Sequence, residues 1–172
     1  MKLDIIAGNK QDEYYTLIYA IIPILKYLKK GSTIWCPFDT EESNFVKIFR
    51  QNGFNVIFSH KSNNENFFSI EIPKCDYIIS NPPYSIKGKV LRRLFEIGIP
   101  FAMLVGVVGL FESQERFNMF RKSQFEILYF NKRIKYIKGF GDKKISVQPP
   151  FSSAYICSKI LPKQICFEEI FE

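Results

Sequence analysis

The tetrapeptide Asn81-Pro82-Pro83-Tyr84 has the residue types and spacing to hold a planar amine. Its two prolines fix φ and lack N–H groups, so the backbone is stiff and its carbonyl groups keep fixed directions. The side-chain carbonyl of Asn81 and the backbone carbonyl of Pro82 can accept both N–H bonds of an amine such as N6 of adenine. The ring of Tyr84 offers a face on which a base can stack. This chemistry requires neither a metal nor a covalent enzyme intermediate.

A structural interpretation stays open, because the same tetrapeptide would also make a rigid turn between a strand and a helix. A second tetrapeptide of similar form, Gln148-Pro-Pro-Phe151, precedes another apolar run. We interpret that one as a rigid turn that lines the site.

The elements that position these residues alternate between strands and helices. Apolar runs bounded by Gly or Pro predict strands at 33–36, 55–58, 76–80, 101–105, 125–130 and 154–158. Helical spacing of apolar residues predicts four helices. The first spans 16–29, the second begins after an N-cap at Asp39 or Thr40, the third spans 88–97, and the fourth runs from the N-cap Ser113 to residue 122. Pro23 is expected to kink the first helix or to begin a second piece of it.

This alternation predicts an α/β domain with a mainly parallel sheet and helices on both faces. In such sheets the ligand lies beyond the carboxyl ends of the strands. Three of these ends carry unusual residues: Cys36-Pro-Phe-Asp39, Ser59-His60 and Ser80–Tyr84. We expect the three segments to meet at one edge of the sheet.

Composition limits the class of protein. The chain has 172 residues, and its 47% hydrophobic and 24% charged residues exclude a disordered chain. Its net charge of +7 favours an acidic partner such as nucleic acid, and its 16% aromatic residues exceed what a minimal core needs. Four cysteines without a CxxC pair, together with a single His, predict reduced thiols in a cytoplasmic protein and no metal site. No apolar stretch is long enough for a membrane span, and we expect no membrane partner.

Three stretches carry a resemblance to a known family: Asp12-Glu-Tyr-Tyr-Thr16, Trp35–Asp39 followed by Ser43-Asn-Phe45, and Asp76–Tyr84. In order and spacing they resemble the S-adenosylmethionine-dependent amino-methyltransferases, most closely small phage-type DNA N6-adenine methyltransferases. The resemblance extends over residues 12–160. It implies a Rossmann-like methyltransferase fold, with a mainly parallel seven-stranded sheet that has an antiparallel last strand and helices on both faces. It also implies S-adenosylmethionine as the cofactor.

The resemblance further implies which residues act. The catalytic set is Asn81, Pro82, Pro83 and Tyr84. The predicted contacts of the methyl donor are Tyr15, Thr16, Cys36, Pro37, Phe38, Asp39, Ser59, Asn66 and Phe67. Asp39 has the alternative role of a helix cap, and we interpret His60 as a solvated loop residue. The donor loop 39–42 lacks the glycines that the family usually has there.

Charge identifies the expected substrate. Residues 131–144 hold six Lys or Arg and one Asp, a net +5, interleaved with Tyr136 and Phe140. We predict that nucleic acid, with DNA favoured, contacts Lys87, Lys132, Arg133, Lys135 and Lys138, and that 131–150 forms a basic loop. A merely solvated basic loop is the alternative. We expect a single methyltransferase-like domain over 1–172, without a separate target-recognition domain. The DNA sequence that it recognises is then short, or a partner protein supplies the specificity.

The sequence thus predicts an N6-adenine methyltransferase that acts on DNA and is of phage or prophage origin. Two alternatives stay open. An enzyme of the same fold could methylate RNA adenine or a protein glutamine, since both present a planar NH₂ group. A degenerate methyltransferase fold could instead serve as a binding module, and the missing glycines motivate that possibility.

Overall fold

A computed structural model describes residues 14–138 and 145–171. This part of the chain holds ten strands and four α-helices. The strands are β1 (Tyr15–Thr16), β2 (Thr33–Cys36), β3 (Asn55–Phe58), β4 (Tyr77–Ser80), β5 (Phe101–Gly106), β6 (Glu126–Phe130), β7 (Tyr136–Lys138), β8 (Ile145–Val147), β9 (Ser153–Ser158) and β10 (Ile165–Glu168). The helices are α1 (Ile18–Leu25), α2 (Asn44–Gln51), α3 (Lys87–Ile97) and α4 (Gln114–Lys122).

Seven strands form the main sheet in the order β10-β6-β9-β5-β4-β2-β3. Strand β9 runs antiparallel to both β5 and β6, and the other neighbouring pairs are parallel. The predicted mainly parallel, seven-stranded α/β sheet is therefore confirmed. The antiparallel strand is not the last one, however, because the C-terminal segment adds β10 in parallel beside β6.

Helices cover both faces of this sheet, as expected. Neighbouring residues of β4 point to opposite faces, so that Ile79 packs in the cluster with α1 and α2 while Ile78 packs in the cluster with α3 and α4. Helix α2 buries Phe45, Val46 and Phe49 on its apolar face. Burying these apolar faces provides the main driving force for the layered arrangement.

Two predictions about the helices are corrected. The first helix spans only Ile18–Leu25 of the predicted 16–29, with Pro23 inside it near its end. The N-cap of α2 is Ser43 rather than Asp39 or Thr40. Ser113 does cap α4, since its hydroxyl accepts a hydrogen bond from the Arg116 amide.

A second, three-stranded sheet has the order β1-β7-β8. Strand β1 pairs antiparallel with β7, placing Tyr15 opposite Ile137 and Thr16 opposite Tyr136. Strand β7 in turn pairs antiparallel with β8. The predicted basic loop 131–150 is thus not a loop throughout, because it contains β7, which lies beside β1, and β8.

No helix within 14–138 and 145–171 is long and apolar enough to cross a membrane. Cys36, Cys75, Cys157 and Cys166 are all free thiols. Part of the predicted site lies outside the described residues, namely Asp12, Glu13, Phe140, Lys143 and Lys144.

Candidate active site

The tetrapeptide occupies the carboxyl end of β4, near the middle of the main sheet between β2 and β5. Pro82 is buried, and the carbonyl of Pro83 accepts a 3.2 Å hydrogen bond from the Ile86 amide. A turn of 3₁₀-helix over Tyr84–Ile86 then leads into α3. The stiff strand-to-helix connection that the prolines predict is therefore present.

The amide of Asn81 has its nitrogen held by hydrogen bonds and its oxygen unpaired among the described residues. Its Nδ2 donates to the Tyr14 carbonyl over 3.0 Å and to Thr16 Oγ1 over 3.1 Å. Its Oδ1 is buried and has no hydrogen-bond partner among residues 14–138 and 145–171. Leaving a buried acceptor unpaired costs about 1–3 kcal/mol, so this oxygen favours a donor from a bound molecule.

Tyr84 lies in a cluster of aromatic rings. It stacks on Tyr14 with ring centroids 5.5 Å apart and an interplanar angle of 27°, and it meets Phe151 edge-on at 5.5 Å. Its hydroxyl donates to the Tyr136 hydroxyl over 2.7 Å, and burial raises the pKa of Tyr84 well above its ordinary value. The hydroxyl is thus a structural link to β7, a role that the sequence did not indicate.

Phe151 brings the second tetrapeptide to the same place. A Cβ on Gly106, the last residue of β5, would lie 2.9 Å from Phe151 Cε2 and 3.5 Å from Tyr84 Cδ2. Only glycine leaves room for such a close approach. The segment Gln148–Phe151 thus contributes a ring to the wall of the site, as its interpretation as a lining turn requires.

Asp39 joins the ends of β2 and β4. It is only 7% exposed, and its Oδ2 accepts a hydrogen bond from the Ser80 hydroxyl, directly before Asn81. Burial raises the pKa of Asp39 to about 6, while hydrogen bonds from Ser80 and Ser43 act in the opposite direction. The side chain is a buried link between two strand ends rather than the cap of α2, so that alternative for Asp39 is wrong.

Most of the other residues predicted to contact the methyl donor have side chains that are buried or bonded to other residues of the protein. Cys36, Pro37 and Phe67 are buried, and Ser59 Oγ accepts from Trp35 Nε1 over 3.0 Å. Phe38 is half-buried, with its ring centroid 4.9 Å from that of Phe67.

Asn66 is exposed, and its Oδ1 accepts from the Phe68 amide over 3.0 Å. Phe38 and Asn66 therefore keep accessible side-chain surface, and Thr16 lies beside Asn81 through β1.

The predicted nucleic-acid contacts divide into two groups. Lys87 Nζ donates to the carbonyls of Gly106, over 2.9 Å, and Val108, so it anchors the loop after β5. Lys132 and Arg133 are exposed just before β7, and the Lys135 amide donates to the Tyr19 hydroxyl over 2.8 Å. Lys138 ends β7.

Within the part of the chain that the structure describes, no group of His, Cys, Asp and Glu side chains could hold a metal ion.

Solved structures with a similar fold are methyltransferases and their relatives. No protein-family model matches the sequence, and no curated protein matches it. A modification subunit assigned to a type I restriction enzyme from Vibrio vulnificus superposes with a TM-score of 0.50 at 12% identity, over 95% of this chain and 48% of that one. The chain has the Rossmann-like methyltransferase fold. It spans about half the length of that subunit.

Two further structures are similar to this methyltransferase fold over most of their own length. Precorrin-6y C5,15-methyltransferase from Geobacter metallireducens gives a TM-score of 0.47 at 12% identity, covering 90% of this chain and 92% of that one. Protein-(glutamine-N5) methyltransferase from Alicyclobacillus acidocaldarius gives 0.44 at 16% identity, covering 83% and 90%.

Three contributors to the site, Tyr14, Tyr136 and Ser80, lie in segments that the sequence singles out, but their individual roles were not predicted. Tyr14, just before the two-residue strand β1, and Tyr136, the first residue of the three-residue strand β7, flank Tyr84. The unusual aromatic content was the one signal that pointed toward such a cluster.

Proposed function

We propose that this protein is an S-adenosylmethionine-dependent N6-adenine methyltransferase that acts on DNA. The observation that carries the proposal is the orientation of the Asn81 amide. Two acceptors hold its NH₂ group, the carbonyl of Tyr14 just before β1 and the hydroxyl of Thr16 in β1, so the carbonyl oxygen Oδ1 is directed away from them and stays unpaired among the described residues. This arrangement suits the binding of an N–H donor and disfavours the binding of an acceptor.

The chain's own residues would position the target amine. Asn81 Oδ1 accepts one N–H bond and the Pro82 carbonyl accepts the other. The two acceptors stabilise the positive charge that grows on the amine nitrogen, and they are already in place before reaction. Tyr84 and its neighbouring rings hold the plane of the base. The methyl group comes from the bound donor.

The donor would bind at the carboxyl ends of β2 and β3, beside Asn81. Phe38 offers a half-buried ring and Asn66 an exposed amide, which fit the face and the polar edge of an adenine. Tyr15 and Thr16 lie on β1 at the Asn81 side of this region. Cys36, Pro37, Ser59 and Phe67 shape the wall from within, and Asp39 ties the wall to Ser80.

DNA is the proposed acceptor because exposed cations precede the strand that bonds to the tetrapeptide. Lys132 and Arg133 precede β7, and Tyr136 of β7 bonds to Tyr84. Cations at this position can neutralise backbone phosphates while a base reaches Asn81. A partner protein supplies further sequence specificity in this proposal.

The proposal is tested by methyl transfer from a labelled donor to duplex DNA, single-stranded DNA, RNA and protein in parallel. We expect transfer to adenine in DNA, and a loss of ~10²–10³ in kcat for Asn81→Ala. Asn55→Ala, on the exposed edge strand β3, is the matched control and should keep the parental rate.

Three results would contradict parts of this proposal. An Asn81→Ala variant that is folded and fully active would reduce the tetrapeptide to a turn. Preferred transfer to RNA or to glutamine would change the acceptor but keep the chemistry. No transfer, together with no heat of donor binding in calorimetry, would identify a binding module.

A further inference from the structure

The guanidinium of Arg116 has no anionic partner in the part of the chain that the structure describes. Arg116 lies in the first turn of α4, half-buried, and its Nε is buried without a hydrogen-bond partner. Within residues 14–138 and 145–171 its guanidinium makes no hydrogen bond or ion pair. Burying a charged donor without an acceptor is costly, and natural proteins usually pair such groups.

The Arg116 side chain lies beside two glycines. A Cβ on Gly88, in the first turn of α3, would lie 3.5 Å from Arg116 Cδ and 3.7 Å from its terminal NH1. A Cβ on Gly109, which has a φ of +67°, would lie 4.0 Å from NH2. These separations are ordinary van der Waals contacts, so the guanidinium lies between the start of α3 and the loop after β5.

Neighbouring charges do not neutralise Arg116. Glu115, beside it in the chain, forms an ion pair with Arg92. Arg93 and Arg121 have partners of their own: the guanidinium of Arg93 lies 5.6 Å from the ring centroid of Phe67, and that of Arg121 lies 5.6 Å from Phe117. Arg93 also donates to the Ile70 carbonyl and Arg121 to Asn118 Oδ1, although Arg93 Nε is itself buried and unpaired. Among the described residues, the guanidinium of Arg116 has no acceptor.

A chain of contacts connects Arg116 to the candidate active site. Tyr84 packs against Gly106, and Lys87 bonds to the carbonyls of Gly106 and Val108. Gly88, the next residue after Lys87, lies under Arg116. Arg116 is thus at the same edge of the sheet as Asn81, on the α3 side, whereas Lys132 and Arg133 lie on the β7 side.

We propose that Arg116 binds a backbone phosphate of the DNA whose adenine reaches Asn81. This inference rests on the proposed function and gives the substrate a second point of attachment. A guanidinium presents a planar fork of N–H donors that matches two oxygens of a phosphate. Anchored from both sides of the tetrapeptide, the DNA strand would hold its target base over Tyr84.

The test is the salt dependence of binding to a DNA duplex, measured by fluorescence anisotropy between 50 and 200 mM salt, a range set by the usual sensitivity of phosphate contacts. Arg116→Gln should make the slope of log K against log[salt] shallower by about 0.9, the loss of one phosphate contact. Arg116→Lys should keep the slope and bind more weakly, because it keeps the charge but loses the fork. Arg121→Gln, on the same helix, is the control and should match the parental slope.

The outcomes separate this inference from the proposed function. An unchanged slope for Arg116→Gln, in a variant that is folded and still methylates DNA, would overturn the phosphate site alone. A parental protein that binds DNA without methylating it would overturn the proposed function, while a shallower Arg116→Gln slope would still support the site. A parental protein that binds no DNA would overturn both.

Discussion

Asn81 and Thr16 lie 65 positions apart in the sequence and share a hydrogen bond of 3.1 Å from Nδ2 to Oγ1. Together with the bond to the Tyr14 carbonyl, this contact decides which end of the amide is available to a ligand. The two-residue strand β1 is therefore part of the catalytic geometry that we propose, although it contributes no atom to the reaction.

Replacing Asn81 by Asp should harm this protein. A carboxylate cannot donate to the Tyr14 carbonyl, which lies 3.0 Å from Nδ2, and it would place negative charge against that oxygen. We expect Asn81→Asp to lose about 1–3 kcal/mol of unfolding free energy at neutral pH and most of the transfer rate. Denaturant unfolding and a labelled-donor assay measure the two effects. Parental stability and rate in this variant would show that the bond to Tyr14 is not needed.

Thr16→Val tests the positioning role of Thr16, because it keeps the shape of the side chain and removes Oγ1. One of the two acceptors of Nδ2 is lost, so the amide spends less time in the productive orientation. We expect kcat to fall by roughly fivefold, the equivalent of about 1 kcal/mol, with little change in KM. Thr16→Ser retains the hydroxyl and should restore the rate. Equal loss in both variants would indicate a packing effect instead.

The hydroxyl pair of Tyr84 and Tyr136 should behave as one unit. Each single change to Phe leaves the other hydroxyl without its 2.7 Å partner and should cost about 1–2 kcal/mol of unfolding free energy. The double variant Tyr84→Phe/Tyr136→Phe should cost clearly less than the sum, as urea unfolding of the four proteins would show. The KM for DNA should hold, since the ring faces remain. Strictly additive losses would mean that the two hydroxyls are not coupled.

Asp39 should make the fold less stable as the pH rises from 4 to 6. Its pKa is about 6 in the folded protein, against an ordinary value of 3.8. The unfolded chain therefore releases this proton first as the pH rises, and up to about 3 kcal/mol of relative stability is lost by the upper end of the range. Above pH 6 both states are ionised and the effect is constant.

Asp39→Asn removes this titration and keeps an oxygen that can accept from the Ser80 hydroxyl. The difference in unfolding free energy between Asp39→Asn and the parental protein should grow in favour of the variant from pH 4 to pH 6 and then level off. Denaturant unfolding across this range measures it. A constant difference would show that Asp39 titrates normally in the folded protein.

The main sheet and the position of the tetrapeptide could be predicted because local patterns determine them. The run Thr33–Cys36 is apolar and lies between Gly31 and Pro37, and Asn81 follows directly on another such run. Parallel strands then bring their carboxyl ends to one edge, which is where the structure has Asp39 and Asn81.

The remaining elements depend on contacts that local patterns do not encode. Strands of two and three residues, as in β1 and β7, are too short for a period to be seen. In β10, Ile165 and Phe167 stay largely exposed, so apolar residues there do not mark a buried face. A carboxylate ahead of a helix, such as Asp39, resembles a cap until the neighbouring strand brings Ser80 to it.

The pairing of β1 with β7 also bears on when the protein becomes competent during its synthesis. Tyr15 is made before β2–β6 and meets its strand partner Ile137 only after all of these strands have been synthesised. Contacts between residues so far apart in the chain form slowly, because a long loop must close first. Strands β2–β5 can associate before that, yet Asn81 then lacks the neighbours that orient its amide. Nascent chains that stop before β7 would therefore hold a core of associated strands in which the amide of Asn81 is not yet oriented.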